Sequence, residues 1–262
     1  MSTSFTELMA SADMTGGHFR AHIPEDWMQG RTTYGGLSAA LCLEVALRSF
    51  PDLPPLRSAL VSFIGPAGGD ISGEARILRQ GKSVTFVEAD IIGEKGLSTR
   101  TVFAFGAGRS SVFNTTFTPT PEAPPPESCE PYIPSGFGLA FSERFESRLV
   151  SGARPLAGSD CHDHYIWVRH KDENAHSITA LLAAADMPPP AVLPMLKEVA
   201  PISSMTWMVN ILREKPVTTE GWWLLQSRAE SAVEGYSSQD MLAWNRDGEL
   251  VIAGRQSVAV FA

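Results

Sequence analysis

The sequence is short of positive charge. It sets 21 Lys and Arg against 29 Asp and Glu, a formal charge of −8. That balance argues against nucleic acid or an anionic membrane as partner, while leaving room for a local basic patch that meets a phosphorylated ligand. Cysteine is scarce as well. Cys42, Cys129 and Cys161 are odd in number and far apart, so they form no disulfide framework or zinc spacing and read as free thiols. Cys161-His162-Asp163-His164 gathers metal-capable side chains, but adjacent residues lack ligand spacing, and the stretch reads as a loop. No apolar run approaches the roughly 18 residues of a membrane span. The first 14 residues are polar and acidic, without the basic region and apolar core of a secretory signal, so cytoplasmic residence is expected. No Gly-x-Ser-x-Gly occurs, which argues against a serine α/β-hydrolase. Gly81-Lys82-Ser83 lacks the upstream glycine of a P-loop. What is present is 262 residues, 44% hydrophobic and 19% charged, the balance of a globular chain with one large domain or two small ones.

Proline is abundant, and it is concentrated. Residues 115–134 carry seven prolines and read as an extended linker near the midpoint. The division that follows is an N-terminal unit over 1–114, a linker over 115–135 and a C-terminal unit over 136–262. In the first unit, residues 1–15 form a loose or helical lead-in. Gly17–Ile23 alternates as a strand, Trp27–Thr33 is a loop, and Leu37–Phe50 is a buried helix stopped by Pro51. Strands then follow over 56–64, 71–78, 84–92 and 97–105, with turns between them. The second unit repeats the order: strands over 141–150 and 164–170, a helix over 177–187, then strands over 202–213, 221–232, 237–244 and 250–261. A helix with one antiparallel sheet curled around it is a compact α+β solution. Two in tandem are predicted here.

The second helix holds the candidate chemistry. Ile178 to Ala185 is apolar on every side apart from Thr179, which places the helix inside a core. Pro188, Pro189 and Pro190 end it and leave Asp186 in its last turn. The helix dipole is negative there and disfavours a carboxylate by up to about 1 kcal/mol. Either Asp186 emerges into solvent or binds a loop N–H, or it is a carboxylate kept at a reaction centre with raised basicity.

The doubled order resembles the double-hotdog acyl-CoA thioesterases, the type II bacterial and peroxisomal branch, over most of the chain. Tyr34-Gly35-Gly36 is similar to the aromatic-Gly-Gly that opens the first hotdog helix. Arg79-Gln80-Gly81-Lys82-Ser83 is similar to the Arg-x-Gly-x-Ser turn after the third strand. Ala185-Asp186, Ser203-Ser204-Met205-Thr206 and Asp247-Gly248-Glu249-Leu250-Val251 with Gln256 match motifs of the second half. The resemblance implies that Asp186, a hydroxyl from Ser204 or Thr206, and Gln256 hold an attacking water. The family usually has an acidic residue where Thr206 stands, which leaves Ser204 and Thr206 both open. The implied substrate is an acyl-CoA. Coenzyme A enters as part of that substrate, and no cofactor or metal is expected. Family members commonly assemble as dimers or larger homo-oligomers, which is expected here too.

The chemistry fits those residue types. An ionised carboxylate only accepts, so Asp186 can take a proton from water, and burial would bring its pKa toward neutrality. A hydroxyl and a carboxamide can each donate and accept, which fixes the water. The N–H groups of Gly35 and Gly36, at a helix N-terminus, can approach an oxyanion, Gly36 foremost. Tyr34 and Gly35 are candidate substrate contacts. Arg79, Lys82 and Arg169 are candidates for the phosphates of coenzyme A. Two other readings stand beside hydrolysis. One is an enoyl-thioester hydratase or dehydratase, which would pair the Asp with a His. The other is a scaffold that binds acyl thioesters without turnover.

Overall fold

The computed structural model describes residues 2–16, 18–134, 136 and 138–262. Met1, Gly17 and Ser135, at the edges of expected segments, lie outside the described residues. The lead-in folds as α1 (Phe5–Ser11), closed at its start by a reciprocal capping box between Ser4 and Glu7, then β1 (Asp13–Thr15). β2 (His18–Ile23) follows, and a small hairpin of β3 (Met28–Gln29) and β4 (Thr32–Thr33) occupies the expected loop. Next come α2 (Gly35–Ser49), β5 (Leu56–Phe63), β6 (Gly69–Gln80), β7 (Thr85–Gly93) and β8 (Gly96–Phe105). After the proline-rich segment, with its two-residue β9 (Glu130–Pro131), the chain forms β10 (Phe145–Ser151), β11 (Asp163–His170) and α3 (Ile178–Ala185). It ends with β12 (Ile202–Ile211), β13 (Trp223–Val233), β14 (Tyr236–Asn245) and β15 (Leu250–Val260).

All strands except β3 and β4 join one 13-stranded antiparallel sheet in the order β1-β2-β6-β7-β8-β5-β12-β15-β14-β13-β11-β10-β9. The two halves are mirror-ordered about the β5–β12 pair, where Val61 faces Trp207 and Leu60 faces Met208. α2 and α3 both lie on the inner face. α2 buries Leu37, Leu41, Val45 and their neighbours against β6, β7 and β8. The fold is therefore the expected α+β double hotdog, although α3, with 8 residues, is about half as long as α2, with 15. Among the described residues no helix is long and apolar enough to cross a membrane.

Two segments depart from the expectation. Residues 141–144 belong to a 3-10 turn (Ala140–Arg144), and the strand begins only at Phe145. The turn is held by Ser142 Oγ donating to Leu139 O at 2.7 Å, and it lays the Phe141 ring flat on Tyr34 at 4.0 Å. The proline-rich segment is no free linker. Trp167, Trp222 and Trp244 lie in a second apolar cluster with Cys129, Leu224 and Leu250. Prolines cover it: the Trp167 indole N–H donates to Pro124 O at 2.9 Å, and Thr120 Oγ1 donates to Gly248 O at 2.6 Å. An extended proline chain has few N–H groups to satisfy, so it suits a cover laid across a sheet face.

The helices cross closely where α2 begins and α3 ends. Ala183 and Ala184 offer little bulk there, and Tyr34 donates its hydroxyl to Ala183 O at 2.7 Å. A methyl group on Gly36 would sit 2.5 Å from Ala183 O and 2.6 Å from Tyr34 Oη, closer than atoms can approach. Helix propensity alone would make Gly36→Ala a gain of about 1 kcal/mol. The crossing reverses that sign: the variant is expected to lose about 1–3 kcal/mol, read as a lower urea midpoint at unchanged slope.

Candidate active site

Ser177 caps α3 by accepting from the Ala180 N–H at 3.1 Å, and the helix ends at Ala185 with Asp186 as its C-cap residue. A carboxylate at that pole needs compensation, and two groups supply it. Gln256 on β15 donates from Nε2 to Asp186 Oδ1 at 2.8 Å. The Gly36 backbone N–H, in the first turn of α2, also bonds the carboxyl. That turn is the positive end of a second helix. Gly35 leaves the space: a methyl group there would lie 2.7 Å from Asp186 Oδ2 and 3.4 Å from the Phe63 ring. Gly35 and Gly36 are thus required by the crossing and are more than turn residues.

Burial pushes the Asp186 carboxyl up to about 7, while the Gln256 amide and the Gly36 N–H pull the other way. The residue as a whole keeps part of its surface open to solvent. Burial, with the same carboxyl adding to it, holds the Tyr34 phenol well above its ordinary range.

Register separates the two hydroxyl candidates. Residues directly opposite in an antiparallel pair share a face. Trp207 stands opposite Gln256, but a bulge at Met205 shifts the pairing, so that Thr206 stands opposite Ser257 and Ser204 opposite the buried Val258. Val258 is two residues beyond Gln256 and therefore on its face. Ser204 accordingly shares the inner face with Gln256. Thr206 is exposed on the outer face, opposite Ser62 on its other side. The Ser204 hydroxyl bonds neither Asp186 nor Gln256.

The remaining candidates lie elsewhere. Tyr34 is fully buried and its hydroxyl is committed to Ala183 O. Arg79 and Lys82 are exposed at the β6–β7 turn. Arg169, on β11, is paired with Glu146 at 2.6 Å and stacked over Trp222. None of the three cations bonds Asp186 or Gln256. Cys161, His162, Asp163 and His164 also disperse: Cys161 Sγ turns to Asp163 O, His162 is exposed, and His164 is buried on the inner face of β11. No group of three or more metal-capable side chains converges among the described residues.

One participant was not foreseen. Gln239, fully buried on β14, stands opposite Gln256 and donates from Nε2 to Gln256 Oε1 at 3.0 Å. Its own Oε1 accepts from the Ala191 N–H at 2.8 Å. Alternation did hold a signal, because Ser237, Gln239, Met241 and Ala243 are the buried side of β14 and a glutamine among them needs a partner.

With that geometry described, comparison with known proteins assigns the family. Residues 23–106 match the acyl-CoA thioesterase N-terminal domain and residues 119–260 the C-terminal domain. The chain belongs to the acyl-CoA thioesterase family. It is accordingly a thioesterase enzyme. No curated protein matches it by sequence. Among solved structures it is similar to a conserved hot dog fold protein of unknown function from Alicyclobacillus acidocaldarius, with 23% identity, TM-score 0.88 and coverage of 100% of this chain and 99% of that one. It is similar also to an acyl-CoA thioesterase II from Mycobacterium marinum, with 19% identity, TM-score 0.78 and 98% of each chain covered. The dehydratase domain of RzxB from Pseudomonas fluorescens is more distant, with 12% identity, TM-score 0.56, and 94% and 95% of the two chains covered. These likenesses speak for the fold.

The raised Asp186 carboxyl has a measurable cost. Its folded pKa lies above its unfolded value, so the native state binds the extra proton between about pH 4 and pH 7. Stability therefore falls as pH rises through that window. Asp186→Asn removes the effect. The variant is expected to melt above the parent at pH 8, with the difference shrinking toward pH 4, as thermal unfolding across pH would record.

Proposed function

We propose that the protein hydrolyses acyl-CoA thioesters with a water held between Asp186, Ser204 and Gln256, without a covalent intermediate. The observation that carries this reading is the Asp186 carboxyl, brought near neutrality by burial and bonded by Gln256 and Gly36. A base with that pKa is ionised in part at neutral pH and still basic enough to take a proton from water. Ser204 is the preferred hydroxyl because the bulge leaves Thr206 outside.

In the reaction, the water oxygen attacks the thioester carbonyl carbon while its proton passes to Asp186. The carbonyl oxygen becomes an oxyanion, which the N–H groups opening α2 stabilise, the Gly36 N–H being freed for it as the Asp186 carboxyl is protonated. The C–S bond then breaks, and the thiolate of coenzyme A leaves with the proton from Asp186. Free acid and thiol are the products. The base and the donors for the oxyanion come from different halves of the chain and meet at the helix crossing.

The hydratase reading requires a histidine beside the carboxyl. His170 is buried against Phe5 and Phe145, and its Nε2 bonds Ala180 O at 2.9 Å in the first turn of α3, the far end from Asp186. Hydrolysis is favoured for that reason.

The test is thiol release from a panel of acyl-CoAs. Asp186→Asn is expected to lower kcat by about 10²–10⁴-fold with the fold retained. In the parent, kcat/KM should drop on the acid side of about pH 7, as Asp186 takes up its proton. Near-parental turnover in the variant would remove Asp186 from the role. Enoyl absorbance changing without thiol release would favour the hydratase.

A further inference from the structure

The bonds around Gln256 close a ring. From Asp186 the chain runs through Met187 and three prolines to Ala191. The Ala191 N–H donates to Gln239 Oε1 at 2.8 Å, Gln239 Nε2 donates to Gln256 Oε1 at 3.0 Å, and Gln256 Nε2 donates to Asp186 Oδ1 at 2.8 Å. Each amide in this ring has two possible orientations, and on its own neither has a preference. The Ala191 N–H removes the ambiguity. A backbone N–H can only donate, so Gln239 must turn its oxygen to it. Its NH₂ then faces Gln256, whose oxygen must turn to Gln239 and whose NH₂ must turn to Asp186. Proline chemistry makes Ala191 the source of this order. Pro188, Pro189 and Pro190 have no N–H, and the Met187 N–H is spent on Ala184 O at 3.1 Å. Ala191 is therefore the first main-chain donor available after the helix, and it is fully buried.

We infer that Gln239 is a positioning residue, relaying the polarity of the Ala191 N–H to Gln256 so that the Gln256 NH₂ is held toward Asp186. The inference rests on the proposed role of Asp186 as base. A donor aimed at Oδ1 stabilises the ionised carboxylate, the form that can accept a proton. Were the Gln256 amide reversed, its oxygen would face the carboxylate, and Asp186 would have to hold a proton to bond it. No charged side chain among the described residues acts on Asp186 from α2, from α3 or from the strands beside it. The Tyr34 phenol is the titratable group coupled to it, and it stays neutral far above pH 7.

Two variants separate relay from packing. Gln239→Glu nearly keeps the shape of the side chain, and the state of its carboxyl sets its polarity: protonated, it accepts from Ala191 and donates to Gln256 as the amide does, while ionised it can only accept. Once ionised it would take the Ala191 N–H and also draw the Gln256 NH₂ to itself, reversing that amide. Gln239→Met loses both bonds and imposes no polarity. Relay predicts that Gln239→Glu works while its buried carboxyl holds a proton and that its kcat falls about 10²-fold as the proton leaves, an alkaline limb that the parent lacks, with KM little changed. Gln239→Met should lose kcat at unchanged KM at every pH, with its acid limb moved to higher pH, which carries the test if Gln239→Glu does not fold. Packing alone predicts no added alkaline limb in Gln239→Glu and an unmoved acid limb in Gln239→Met. That outcome, or parental kcat and pH profile in both variants, overturns the relay. Asp186→Asn assayed beside them keeps the two ideas apart. If it is inactive while both Gln239 variants keep the parental pH profile, only the relay fails. If it is active, the base reading fails and the relay with it.

Discussion

The crossing of two helix ends holds this site together. α3 ends in a carboxylate, where its own dipole opposes the charge. α2 begins with two glycines, so its exposed N–H groups come within reach of that carboxylate. Each end answers the other's need. The positive pole of one helix offsets the negative pole of the other, and the absence of two side chains permits the contact. Other contacts on the inner face serve this approach: the alanines of α3, the Tyr34 hydroxyl on Ala183 O, and Phe141 stacked beneath it.

Most of the architecture was legible because it rests on local rules. The apolar run of α2 and its proline stop define a buried helix, and alternation defines the long strands within a few residues. The site was legible only in its anchors. Asp186 stood out because a proline run fixed it at a helix end. What could not be read was anything decided by contact across the sheet. A one-residue bulge exchanges faces, so counting along 203–206 could not choose between Ser204 and Thr206. The covering role of the proline-rich segment depends on tryptophans more than forty residues later in the chain, such as Trp167. Residues 141–144 look like a strand by composition, yet the demand for a ring against Tyr34 turns them.

The buried polar groups are economical. Gln256 and the Gly36 N–H meet a single carboxyl, Gln239 and the Ala191 N–H stand behind Gln256, and no cation among the described residues neutralises it. A cation there would pull the carboxyl well into the acid range and spoil it as a base. Amides offer the intermediate strength: enough to keep the group oriented, too little to cancel the effect of burial. Under the proposed mechanism, the same balance sets stability at alkaline pH against activity.

The continuous sheet carries a further consequence. The glycine donors belong to the first repeat and the carboxyl and carboxamide to the second, and the β5–β12 seam locks the two into one body. Neither repeat holds the whole set of groups that the proposed mechanism uses. Tandem fusion into one polypeptide thus secures one-to-one stoichiometry of the two parts, and each repeat is free to diverge toward its own task. The short α3, cut off at its carboxylate, and the long α2, running on past its glycines, are the visible result of that division of labour.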